Sequence, residues 1–230
     1  GIALIGLNGK VGKWNLQLLD QYAANIFNTL MLQTDFKSSS AANYWFGGMQ
    51  FIKQDAVNDG GNEDPAKTYF ERDGKAITYG SRVGVKISEW ETSFNYNRIT
   101  KKGRYLMPRE WGKDPFYTFM PRERNDGFGD VHAYVFKTQH QYKEQLKSSL
   151  GVGYFNLTAV DNFYLNKYAM PSYYQLNLDF RYDFKGILKS LEAHALYVHK
   201  WKAGNEAENY KYVFNKVDMS LYNFILNFNF

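Results

Sequence analysis

The chain has 230 residues, no cysteine and a formal net charge of +5. Without a thiol it carries no disulfide, no thiolate metal site and no cysteine nucleophile, and no apolar run approaches the ~20 residues of a membrane-spanning helix. The basic balance points to anionic partners. Aromatic residues reach 18 %, rich for a water-soluble enzyme and natural for a membrane barrel with aromatic girdles. Mean hydropathy is -0.53. That average misleads for a strand that shows only alternate residues to lipid.

Period-two alternation, the mark of a half-buried strand, recurs from end to end. A first segment is Ile2 to Leu7. Trp14 to Leu18 alternates apolar with amide, and Asn28 to Phe36 follows. Tyr44 to Gln54 is aromatic and glycine-containing. Ile77 to Ile87 is nearly regular, and Trp90 to Asn97 comes directly after it. Later come Val131 to Tyr142, Leu146 to Leu157, Tyr173 to Phe184 and Leu191 to Trp201. The last strand starts near Val217, with Tyr222, Phe224, Leu226, Phe228 and Phe230 on one phase and Asn223, Asn227 and Asn229 on the other. The pattern predicts about eleven strands. No segment reads as a convincing amphipathic helix; Leu188 to Leu196 fits a strand equally well.

The connections sort by length. Short ones fall near Ser38–Ala41, Ser88–Glu89, Lys143–Gln145 and Lys185–Ile187. Long ones are Asp55 to Lys75, Lys101 to Asp130, Asn162 to Ser172 and Lys202 to Lys216. Short turn, long loop, short turn is the pattern of an outer-membrane barrel. The reading is therefore all-β: a transmembrane antiparallel barrel crossing by strands, since only helices and closed barrels satisfy their backbone in lipid. An odd strand count sits badly with a closed bacterial barrel. In this scheme the segment Ile2 to Leu7 runs inward, which a true first strand does not do. The expectation is that the N-terminal part of the barrel lies outside these residues.

The stretch Pro108 to Tyr134 narrows the family. Glu110-Trp111-Gly112-Lys113-Asp114-Pro115, followed by Phe119-Met120-Pro121-Arg122-Glu123-Arg124, resembles the corresponding part of the OprD-type outer-membrane porins. The rest of the match is texture: strand spacing, loop parity and a C-terminal Phe. The resemblance implies a barrel of about eighteen strands, of which the chain supplies the C-terminal portion, and a bacterial outer-membrane location. It implies passive diffusion of small, often carboxylate-bearing solutes such as amino acids and organic acids. Residues 101–130 are then an inward-folded constriction loop within a single barrel domain, 1–230. Five strands follow this loop, as the family requires, and six precede it. Phe230 is then a handle for the barrel-assembly machinery. Lipid bilayer, lipopolysaccharide and other outer-membrane proteins are the expected neighbours, with no cofactor and no nucleic acid.

Alternation assigns Arg82, Lys86, Lys137, Lys147, Arg181 and Lys200 to the lumen, and Val83, Val85, Phe180 and Tyr182 to lipid. A one-residue slip would reverse any of these strands. Similar porins guide carboxylates with such a basic row; solvated surface charge is the plain alternative. The constriction loop is dense in both signs: Arg104, Arg109, Glu110, Lys113, Asp114, Arg122, Glu123, Arg124 and Asp126. Arginine forks suit carboxylates, and Glu110, Asp114 and Glu123 offer partners for an ammonium. Alternatively these charges pair among themselves and pin the loop. Pro108, Pro115 and Pro121 stiffen it.

Other constellations are weak. Asn58 to Asp64 has the composition of a calcium loop without EF-hand spacing, and His132, His140, His194 and His199 lack metal-ligand spacing. No hydrolase elbow or phosphate-binding loop occurs. Tyr and Lys could mark a nucleic-acid surface, but their alternation along strands argues otherwise. Three rivals to the porin remain. They are an outer-membrane enzyme, for which no nucleophile–His set is evident; a non-conducting scaffold barrel; and a saccharide-selective porin.

Overall fold

A computed structural model describes residues 1–39, 41–123, 125–207 and 217–228, and at Arg109 the backbone alone. Eleven strands form one antiparallel sheet, each strand paired with its sequence neighbours. They are β1 (Ile2–Val11), β2 (Trp14–Ala23), β3 (Phe27–Lys37), β4 (Tyr44–Ala56), β5 (Lys75–Ile87) and β6 (Trp90–Ile99). Then follow β7 (Val131–Tyr142), β8 (Leu146–Asn156), β9 (Tyr173–Asp183), β10 (Leu191–Lys202) and β11 (Met219–Phe228). Among the described residues the sheet is not closed: β1 pairs only with β2, and β11 only with β10. The regular structure outside the sheet, among the same residues, is three single-turn helices, Pro65–Lys67, Arg109–Trp111 and Gly186–Leu188.

The predicted strands are all present, and the differences are at their ends. β1 continues to Val11 and β2 to Ala23. The sequence pattern fades after Leu18 because Asp20 stands on the outer face, where Asn28 donates to it at 2.9 Å. Beyond it, Gln21 is buried on the inner face. Residues 24–26 therefore make a tight turn between β2 and β3, with Ile26 N donating to Ala23 O. This turn lies on the same side as the long connections 57–74, 100–130 and 157–172, the one exception to the sorting by length. The last strand begins at Met219 rather than Val217. Asn229 and Phe230 lie outside the described residues.

The two faces differ in kind. One is mainly apolar and exposed, with Val83, Val85, Phe94, Phe136, Val152, Phe180, Phe224 and Leu226 on it. Aromatic rings cluster toward both ends. On the long-loop side, Tyr96 and Tyr134 lie 5.1 Å apart, Tyr154 and Tyr174 4.8 Å, and Tyr197 and Tyr222 4.9 Å. On the turn side, Trp14 and Phe36 lie 4.9 Å apart, Phe36 and Trp45 4.7 Å, and Trp90 and His140 4.3 Å. Along β5 the stretch from Tyr79 to Ile87 covers about 27 Å at ~3.4 Å per residue.

The opposite face is partly covered by the segment 100–130. Its Tyr105, Phe116, Met120 and Phe128 join Ile52, Ile99, Val131, Ala133, Val135, Phe155 and Tyr173 of the sheet in one buried cluster. Fully burying a side chain the size of Phe116 contributes about 1.5–3 kcal/mol. A long connection is usually solvated because its backbone needs partners. This one is seated because the sheet supplies both an apolar bed and polar hooks.

Candidate functional site

The hooks are side chains on the inward phase of several strands, which the period-two alternation of each strand places on one face. On β4, Gln50 Nε2 donates to Pro115 O at 3.0 Å. On β9, Gln175 and Asn177 both donate to Pro121 O, at 2.8 and 3.0 Å. Lys137 of β7 donates to the carbonyls of Tyr117 and Phe119, each at 2.8 Å. Lys200 of β10, 5 % exposed, donates to Arg122 O at 2.6 Å. Loop carbonyls thus meet wall donors from four strands.

One loop side chain reaches back into the wall. Tyr117 Oη donates to Asp35 Oδ1 at 2.7 Å, and Arg82 Nη2 donates to the same oxygen at 2.9 Å. The Arg82 guanidinium lies 4.6 Å from the Tyr117 ring centre and 5.5 Å from that of Phe46. Burial first, then the bond to Asp35, pushes the Tyr117 hydroxyl pKa well up, so it stays a donor. Tyr105 is raised too, by burial and then by Asp114 and Asp126.

All six basic residues expected on the inner face are on the face that carries the loop. They differ in what they do there. Lys137 and Lys200 hold the loop. Arg82 is bound to Asp35, and Arg181 donates to Asp179 at 3.2 Å. Lys86 stands opposite Glu91 in the β5–β6 register. Lys147 is exposed and stands opposite Arg181 in the β8–β9 register. His194, the next residue in that row, sits 2.7 Å from Asp179. Beneath the loop, toward the turn side, Arg82, Lys137, Lys147 and Arg181, but not Lys86 or Lys200, line a cavity of about 1650 Å³ with as many acidic as basic side chains. Charge there is mixed rather than uniformly positive.

The loop's own charges are scattered. Lys113 and Glu110 are exposed, and the Lys113 Nζ lies 5.9 Å from the Phe119 ring centre. Asp114 Oδ2 accepts from the backbone N–H of Asn125 at 3.2 Å. Arg122 is exposed, with φ at +67°. Arg104 lines a small recess with Glu71 and Tyr164, away from the large cavity. Glu123 is buried; among the described residues its Oε1 has no hydrogen-bond partner, and Oε2 accepts a long 3.4 Å contact from Met120 N. Desolvation, then Asp114, raises its pKa well above the usual carboxylate range, with Lys200 and Lys137 opposing. Arg124 lies outside the described residues.

The acidic stretch at Asn58 to Asp64 is held by its own cations. Arg72 pairs with Asp59 at 3.0 Å, and Lys67 with Asp64 at 3.0 Å. Among the described residues no cluster of three His, Asp or Glu is placed to hold a metal.

Sequence reasoning did not single out Asp35, Gln50, Gln175 or Asn177. Their signal was present: amides on the same phase as Lys and Arg within strands whose other phase is apolar.

An antiparallel wall with one banded apolar face and a loop hooked across the other is the architecture of a porin barrel's staves. No protein-family model and no curated protein matches the chain. Solved structures do. The crystal structure of Pseudomonas aeruginosa OccK3 (OpdO) matches with a TM-score of 0.75 at 11 % identity, over 99 % of this chain and 56 % of that one. Acinetobacter baumannii OccAB3 matches at 0.74 and 12 % identity, over 99 % and 54 %. Pseudomonas aeruginosa OccK11 (OpdR) matches at 0.74 and 12 %, over 99 % and 57 %. These neighbours are OprD-type porins, so the chain has the fold of part of such a barrel. It spans a little over half of their length.

Proposed function

We propose that this chain is wall and constriction of a bacterial outer-membrane porin, passing small polar solutes by diffusion with a preference for carboxylates. The observation that carries this is the contrast between faces. One shows lipid-like side chains between two aromatic bands; the other is polar, charged and partly filled by the loop 101–130. A water-filled lumen explains why the second face tolerates Arg82, Lys86, Lys147 and Arg181. The open edges of β1 and β11 need further strands, because unpaired backbone is not tolerated in lipid. A barrel of about eighteen strands, in line with the length of the solved neighbours, supplies them.

The carboxylate preference rests on the β8–β9 row. Like charges directly opposite each other, as Lys147 and Arg181 are, disfavour folding and make a local field that an anion relieves. The same face carries acids, so selectivity is expected to be partial. Lipid and lipopolysaccharide would contact the banded face, and the assembly machinery the C-terminal residue. The deciding measurement is planar-bilayer conductance of the full-length protein under a salt gradient. Discrete open channels with a reversal potential on the anion side are expected. A barrel that inserts and stays silent at every voltage favours the scaffold reading instead.

A further inference from the structure

Two loop side chains enter the wall at positions where the wall has no side chain. Tyr117 lies over Gly48 of β4, and Met120 over Gly151 of β8. A Cβ built at Gly48 would stand 2.5 Å from Tyr117 Oη and 2.9 Å from its Cζ, and would overlap Asp35 Oδ1. A Cβ at Gly151 would stand 2.9 Å from Met120 Cε and 3.7 Å from its Sδ. Neither glycine has a positive φ, so the backbone does not demand glycine at either place. What demands it is occupied space: at Gly48 the Asp35 carboxylate of β3 and the loop's Tyr117 together, at Gly151 the loop's Met120.

We infer that Gly48 and Gly151 are sockets that let the loop lie back against the wall, and that they set how much of the lumen it leaves open. This rests on the porin reading and deepens it, by naming positioning residues for permeation that never touch the solute. Tyr117 has little freedom to give way sideways. Its carbonyl is held by Lys137, its hydroxyl by Asp35, and its ring lies against the Arg82 guanidinium. Tyr117, Lys137 and Arg82 border the large cavity, so a ring displaced from the wall moves into that space. Met120 is different. Its contact with Gly151 is through the end of a flexible thioether, which can turn aside. The two sockets are therefore unequal: Gly48 is rigid, Gly151 forgiving.

The test uses the full-length protein in planar bilayers, with polyethylene glycols of graded size as probes of bore. Gly48→Ala is expected to shift the size cut-off to smaller polymers and lower conductance. Gly151→Ala should shift it less in the same direction. In a Tyr117→Ala background, Gly48→Ala should shift the cut-off much less, because the loop side chain that the new methyl displaces is gone and only the Asp35 carboxylate of the wall stands in its way. A purely structural loss would not be reduced this way. If Gly48→Ala does not fold, Gly151→Ala with and without Met120→Ala carries the same comparison. A wild-type protein that does not conduct overturns the porin reading and the sockets with it. A conducting wild type whose cut-off is unchanged or enlarged by Gly48→Ala overturns the socket assignment alone.

Discussion

Gln54 of β4 and Leu106 of the loop hold each other through both backbone groups of the leucine. Gln54 Nε2 donates to Leu106 O at 2.8 Å, and Leu106 N–H donates to Gln54 Oε1 at 2.9 Å, across 52 residues of chain. Both partners are nearly inaccessible to water. The amide thus does for one loop residue what a neighbouring strand does in the sheet. Gln54→Leu keeps the size and leaves two buried backbone groups unsatisfied, at about 1–3 kcal/mol each. Hydrogen exchange at Leu106 should accelerate sharply while the β7–β8 amides stay protected. Unchanged protection at Leu106 would show that this grip does not hold the loop.

The lysines divide into two kinds, and substitution should separate them. Lys137→Met removes two donors from the carbonyls of Tyr117 and Phe119. It is expected to loosen the loop, read as flickering conductance and faster proteolysis between Pro115 and Pro121. Lys147→Met should leave the loop intact and weaken anion preference, most visibly at low salt where the screening length is long. Equal effects of the two changes on reversal potential would mean that Lys137 also faces the solute.

Glu123 gives the loop a pH dependence of defined sign. Its pKa in the seated loop is raised above the value in a released, solvated loop. The seated form therefore holds the proton over the interval between the two values. Seating is favoured fully below the ordinary carboxylate range and weakens as pH rises toward the raised value. Protease nicking of the loop should increase with pH across that window. Glu123→Gln, which keeps the shape without the charge, should flatten the dependence. A profile that persists unchanged in the glutamine variant assigns the titration elsewhere.

The apolar face can be probed where it should be least forgiving. Val83→Arg places a cation midway between the aromatic bands, at a cost of about 2–4 kcal/mol near a bilayer midplane, and Phe180→Arg, in register with the turn-side pair Trp90 and His140, should cost less. Unfolding titrations of the bilayer-inserted protein should show that loss. Ser93→Arg and Ser149→Arg, on the loop-bearing face, should be tolerated. The opposite outcome would mean that the apolar band is not the lipid contact.

Strand number and facing were legible because each rests on local alternation; the inward fold of 101–130 was an expectation from the resemblance of Glu110 to Arg124, not from any pattern in the strands. Val83 and Arg82 betray their faces by chemistry alone. The interior of 100–130 was not legible in the same way. Whether Lys137 guides a solute or holds Tyr117 O depends on which carbonyl lies above it, and that follows from packing of Phe116, Met120 and Phe128. The Gly48 socket was invisible for a related reason: its meaning is the tyrosine 69 positions later. The turn at 24–26 escaped because Asp20 and Gln21 interrupt the pattern with groups whose compensation, Asn28 among them, comes from other strands.

That turn has a consequence for the surface the cell would present. Val57 N–H donates to Ile26 O, Asp59 N–H to Asn25 Oδ1, and Phe70 packs on Phe27 at 5.5 Å. The segment 57–74 thus lies across the low turn as on a sill. Antibodies or phage approaching this arc would meet residues 57–74 first and find 24–26 beneath them. A peptide tag for surface display belongs in the exposed stretch 63–67. Inserted at 24–26, it would lift the covering segment off its seat.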